Sequence, residues 1–158
     1  MAARQIAATV RTLLVVLASS GLLLAGSDPF SGTWKLNPEK SRLPWPAPQS
    51  LISHIHADAT SIKVREELVS DKGQRFTVTL HAQFDGKDYP VSGSPYADAV
   101  SYERVDRHTI KGIFKKAGKV AGTETVVVSQ DGRTMTATYP STGPDGKPVT
   151  GVGVLDKR

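Results

Sequence analysis

The chain reads as an all-β protein, an antiparallel up-and-down meander of about nine strands closed into a β-barrel. Three observations lead there. First, Asp85-Gly86, Ala117-Gly118, Asp131-Gly132 and Asp145-Gly146 are hairpin-type dipeptides, and Asp71-Lys72-Gly73 is a turn one residue longer. Glycine reaches positive φ without steric cost and aspartate tolerates the left-handed region, so such pairs reverse a chain tightly. Second, apolar and polar residues alternate between these turns, the period of a half-buried strand. Third, the connections are short, which favours pairing between sequential neighbours. Amphipathic strands in one domain must hide one face, and closure into a barrel does so while removing exposed edges.

The N-terminus stands apart. Arg4 and Arg11 precede a weakly polar to apolar stretch over 12–25. Its fourteen residues match a signal h-region and fall short of the roughly 20 needed to span a bilayer. Ala25 and Ser27 are small, which fits cleavage before Asp28. Leu24-Ala25-Gly26-Ser27 has the form of a lipoprotein box with serine at the lipid-acceptor position, so no thiol is present to carry a lipid. The expectation is a signal peptide over 1–27, one domain over 28–158, and an exported protein, periplasmic or extracellular. The other reading is an uncleaved membrane anchor, which the short apolar length disfavours.

The mature chain of 131 residues suits one domain with a real core. It keeps 18 basic and 15 acidic residues, a net charge of +3. Those charges are dispersed, and a pair such as Lys115-Lys116 is not the clustered stripe that nucleic acid would need, so nucleic acid is not an expected partner. Cysteine is absent. An exported domain of this composition is held by its core alone, with no thiolate nucleophile and no cysteine-ligated metal.

Taken in order, residues 28–36 are an entry turn and a first strand, with Phe30, Gly32, Trp34 and Leu36 on one face. A loop over 37–49 carries prolines 38, 44, 46 and 48, which forbid a regular helix, and holds Leu43 and Trp45 as apolar plugs. Residues 50–57 place Leu51, Ser53, Ile55 and Ala57 together. Residues 61–70 place Ile62, Val64 and Leu68 together, with Glu66 intruding. The segment 74–84 is the cleanest strand: Phe76, Val78, Leu80, Ala82 and Phe84 face one way, Arg75, Thr77, Thr79, His81 and Gln83 the other. Tyr89-Pro90-Val91 reads as a short edge piece at best, because Pro90 has no N–H for a ladder. Strands over 97–105, 108–116, 119–130, 133–139 and 148–157 complete the set, with Ile110, Gly112 and Phe114, then Met135, Ala137 and Tyr139, alternating inward.

The segment Phe30-Ser31-Gly32-Thr33-Trp34-Lys35-Leu36 resembles the Gly-x-Trp opening of the calycin superfamily, the lipocalins and fatty-acid-binding proteins. The stretch 32–41 is also similar to the start of small exported bacterial proteins described only as lipocalin-like. The resemblance implies that Trp34 plugs the closed end of a barrel, with Gly32 and Trp34 as structural residues. The chain departs from the family in several places. A proline-rich loop stands where fatty-acid-binding proteins insert a helical lid. Tyr102-Glu103-Arg104 has the reverse order of their carboxylate-binding Arg-x-Tyr, and the Thr-Asp-Tyr lipocalin motif is missing. No ligand-binding residue carries over.

Other constellations are weak. His54 and His56 project to one face of a strand, but two imidazoles without a third ligand read as a solvent-facing pair, so no metal and no cofactor are expected. There is no Gly-x-Ser-x-Gly elbow, and Gly93-Ser94 lies in a polar turn. Gly151-Val152-Gly153 lies inside a final strand, where it lets strands approach or the barrel bend. Adjacent Glu66 and Glu67 point to opposite faces of a strand and cannot flank a substrate together. Glu66, Glu124 and Arg104 sit on faces that otherwise carry apolar residues; ligand recognition, strand ends or bulges each explain that.

No catalytic constellation emerges, so an enzyme is not expected. The first expectation is an exported barrel that binds a small apolar or amphipathic molecule. Leu43, Trp45, Phe76, Val78, Leu80 and Phe114 would touch the ligand, with residues 43–48 as a lid. After signal cleavage no stable membrane insertion is expected. The alternative is an envelope structural or interaction module whose barrel is packed to the centre; the volume of the lumen separates the two.

Overall fold

The computed structural model describes residues 27–158; residues 1–26, which hold nearly all of the expected signal segment, lie outside the described residues. Ten strands follow one another: β1 (Gly32–Leu36), β2 (Ser50–Ala57), β3 (Ser61–Val69), β4 (Arg75–Gln83), β5 (Tyr89–Ser92), β6 (Ala99–Asp106), β7 (Thr109–Lys116), β8 (Lys119–Val128), β9 (Thr134–Thr142) and β10 (Pro148–Lys157). Each pairs antiparallel with its sequence neighbour, and β1 pairs with β10 to close the barrel.

The count is ten rather than about nine because Tyr89–Ser92 is a strand of the ring and not an edge piece. It is short on both sides, joined to β4 at Thr79 and Leu80 and to β6 at Val100 and Ala99. Pro90 is tolerated because few ladder bonds are asked of this strand. Beyond it the chain spans β4 and β6 directly: Asp85 bridges to Glu103, and the Gly86 N–H donates to the Tyr102 carbonyl at 3.0 Å.

The turns behave as their residues require. The β7–β8 hairpin turns on Ala117 and Gly118, both at positive φ (49° and 74°), the pattern of a type I′ turn. Along β4, Phe76, Val78 and Leu80 turn inward while Arg75, Thr77, Thr79, His81 and Gln83 are exposed. Glu67 points out and pairs with Arg65 at 2.9 Å, whereas Glu66 points in.

The two ends of the barrel differ. At one end lie the β2–β3, β4–β5, β6–β7 and β8–β9 turns and the entry segment. There Phe30 and Trp34 are fully buried, and the Trp34 indole N–H donates to the Phe30 carbonyl at 2.8 Å. Arg104 completes this plug. Its guanidinium lies 4.4 Å from the Phe84 ring centre and 5.3 Å from that of Phe30, and it pairs with Asp28 at 2.9 Å. It also donates to the carbonyls of Asp58 and Arg107, each at 3.2 Å. The odd charge on the β6 face is therefore an end stopper. Lys157 covers Trp34 from the other side, its Nζ 4.9 Å from the ring centre.

At the opposite end, the loop 37–49 returns along β10. Arg42 exchanges two backbone hydrogen bonds with Val152, each 2.7 Å, and Pro44 sits over Gly151. A Cβ on Gly151 would stand 2.4 Å from Pro44 Cδ. The glycine therefore makes room for the proline-rich loop; this contact, more than a bend of the barrel, accounts for it.

Candidate functional site

The strands enclose a cavity of about 660 Å³, within the roughly 300–1,000 Å³ typical of small-molecule pockets. Its floor is apolar: Ile62, Ile110, Met135 and Leu155 are buried around it, together with Phe30 of the plug. Its upper wall is apolar too, with Leu51, Leu68 and Phe76. Leu43, Trp45, Pro46 and Pro48 of the long loop, together with Tyr96, surround the mouth. Trp45 is 46% exposed, and its ring meets Tyr139 edge-on with centres 5.2 Å apart.

All six residues expected to touch a ligand, Leu43, Trp45, Phe76, Val78, Leu80 and Phe114, line this one cavity. Gly32 and Trp34 lie on β1 at the plugged end, where a Cβ on Gly32 would collide with Lys157 Cε. His54 and His56 lie outside, on the exposed face of β2, with His54 Nδ1 3.1 Å from the Thr33 hydroxyl. Among the described residues no group of three or more metal-ligating side chains converges.

Between floor and upper wall runs a polar belt. On β2 and β3, Ser53 and Glu66 are direct cross-strand neighbours, and the serine hydroxyl donates to Glu66 Oε2 at 2.9 Å. On β6, β7 and β8, Tyr102, Gly112 and Glu124 share one register row. Gly112 has no side chain, so Tyr102 reaches across it and its hydroxyl donates to Glu124 Oε1 at 3.3 Å. Tyr139 on β9 completes the belt; its hydroxyl makes no hydrogen bond to another described residue.

Both glutamates are half-buried and line the lumen. Loss of bulk water disfavours their charged forms. Burial pushes the Glu66 carboxyl up, the Ser53 hydrogen bond opposing it only in part. Burial, and then the charge of Glu66, pushes Glu124 up to about 7. Burial and the nearby carboxyls drive the phenols of Tyr102 and Tyr139 well above their usual range, so both stay neutral hydrogen-bond partners.

The odd charges on apolar strand faces thus divide. Arg104 belongs to the plug, while Glu66 and Glu124 belong to the lumen. Tyr102, Ser53 and Gly112 were hidden from sequence reasoning as a set, because their row exists only once the register is known.

No protein-family model matches this chain, and neither a curated protein nor a solved structure matches it. The structure shows a closed antiparallel barrel of ten strands, an architecture compatible with the one the Gly32–Trp34 segment led us to expect.

Proposed function

We propose that this protein is an exported, calycin-like carrier that holds a small apolar or amphipathic molecule in its lumen. The observation that carries the reading is the open-mouthed cavity of about 660 Å³, with apolar walls and a few convergent polar groups. A barrel packed to its centre, as an envelope interaction module would be, has no such space, so the cavity favours the carrier.

Other features support parts of the same reading. The lumen presents carboxyls, phenols and one serine at mid-height, polar groups that can orient a bound molecule. The strand exterior is polar along β4, the reverse of the lipid-facing apolar band of a membrane barrel, which supports work in water. The charged start and short apolar run over 1–27 support export.

The test uses a neutral apolar fluorophore, N-phenyl-1-naphthylamine, titrated into Trp34→Phe protein while Trp45 emission is followed. Saturable transfer from Trp45 to the probe is expected. A folded protein that takes up no probe, and from which solvent extraction releases no small molecule, overturns the carrier reading.

A further inference from the structure

We propose that the ligand carries a cationic nitrogen head on an apolar body, and that Glu66 and Glu124 are its counter-ions inside the barrel. The inference deepens the carrier reading and rests on it. Its first ground is the charge inventory of the cavity. The titratable side chains that line it are Glu66 on β3, Glu124 on β8, Tyr102 on β6, Tyr139 on β9, and Asp71 and Tyr96 at the mouth. Among the described residues no lysine, arginine or histidine lines it. Arg104, the cation of the plug, is engaged by Asp28 and by two backbone carbonyls.

The second ground is the unused bonding capacity of the belt. Each carboxyl receives one neutral hydrogen bond, from Ser53 or from Tyr102, on a single oxygen. The Tyr139 hydroxyl, on a half-buried side chain that lines the same space, has no hydrogen-bond partner among the described residues. An ammonium group offers three donors and no acceptor. Two carboxylates and a phenol oxygen are the acceptors it needs, and the two phenol rings add a favourable face to a desolvated cation.

An anionic head would face the opposite situation. It would meet no compensating cation, and it would have to keep both carboxyls protonated to avoid like-charge contact. Height in the barrel fits a head-and-tail ligand. With the nitrogen at the belt, an alkyl body runs upward past Leu68 and Phe76 toward Trp45. A bound cation also favours the charged carboxylates. Binding near neutral pH therefore expels protons from the Glu66–Glu124 pair, and affinity falls as acid protonates it.

Three ligands of one chain length separate the possibilities: decylamine, decanoic acid and 1-decanol, each displacing N-phenyl-1-naphthylamine at pH 7.5 below its micellar concentration. Decylamine is expected to bind about tenfold or more tighter than decanoic acid. The double variant Glu66→Gln, Glu124→Gln should lose that preference while keeping decanol binding, and Tyr139→Phe should weaken the amine alone. For the unaltered protein, calorimetry of decylamine binding at pH 6.5 in two buffers of different ionisation enthalpy should show net proton release, a readout independent of whether the variants fold. Decanoic acid binding as tightly as the amine overturns the proposal, as does a preference that survives in the double variant or binding without proton release. Decanol matching the amine overturns the cationic head but leaves the carrier. Failure of the probe and all three ligands overturns the carrier reading with it.

Discussion

The Tyr102 hydroxyl reaches Glu124 Oε1 at 3.3 Å across a strand that lies between them, because that strand carries Gly112 at the row they share. A Cβ on Gly112 would stand 2.7 Å from Tyr102 Cε1 and 3.1 Å from Glu124 Cγ. The glycine is needed for space, not for its backbone angles.

Gly112→Ala should therefore force the Tyr102 ring aside. The expected cost is about 1–3 kcal/mol in urea unfolding, the usual range for an overfilled interior. The same variant should weaken occupancy of the lumen. Stability within experimental error of the parent would show that the ring has free room and that the row is not tightly packed.

Trp34 is fully buried and Trp45 is 46% exposed. Trp34→Ala should cost about 3–5 kcal/mol, enough to threaten a domain without disulfides. Trp45→Ala should cost far less and act instead on ligand capture. Equal losses in paired urea melts would contradict the assignment of Trp34 to the plug and Trp45 to the mouth.

Acidity acts on this protein in two directions. Glu124 titrates near 7 in the folded state against 4.5 as an ordinary glutamate. Over that window the folded state holds more protons than the unfolded chain, so stability is present below pH 4.5 and is lost as pH rises through about 7. Glu66 is shifted the same way. The lumen admits water, which keeps the effect of Glu124 to the order of 2 kcal/mol. Exposed Asp58, Asp106 and Asp131 are held low by hydrogen bonds, chiefly from Thr60, His108 and Ser129 in their turns, and contribute the opposite slope at more acid pH. The stability maximum should lie on the acid side of neutrality. Thermal melts from pH 4.5 to 7.5 should fall with pH, and Glu124→Gln should flatten the decline; parallel profiles would remove Glu124 as its cause.

Ala117 occupies the left-handed region at φ 49° in the β7–β8 turn. That region costs a non-glycine residue about 1–2 kcal/mol. Ala117→Asn, which makes the favoured Asn-Gly pair, should stabilise the barrel by about 0.5–1 kcal/mol. A loss of stability would show that the alanine methyl has packing value that the turn geometry does not reveal.

The meander was legible because its signals are local. The alternation from Phe76 to Phe84 depends on neighbours two residues apart, and each aspartate–glycine turn on residues in contact along the chain. It blurred at Tyr89–Ser92, where Pro90 gives a local signal against a strand while closure of the ring demands one. The site was half legible. Glu66 and Glu124 stood out as charges on apolar faces, yet nothing nearby in sequence distinguishes them from Arg104, which has a different role. The difference lies in partners far along the chain: Asp28 lies 76 residues from Arg104, while Ser53 and Tyr102 hold the two glutamates. Such pairings are set by register and not by composition.

Closure through β1 and β10 also sets an order in time. Trp34 pairs with Lys157, near the two ends of the chain, and every other neighbour in the ring is also a neighbour in sequence. A nascent chain can make each hairpin as it emerges, but until β10 arrives it is an open ribbon with no interior. Neither the plug at Trp34 nor the seat for the proline-rich loop exists before then, since Lys157 and Gly151 both belong to that strand. Non-local pairing of this kind is slow, commonly milliseconds to seconds. The protein gains its inside in the final step, and the cavity exists only in a finished molecule.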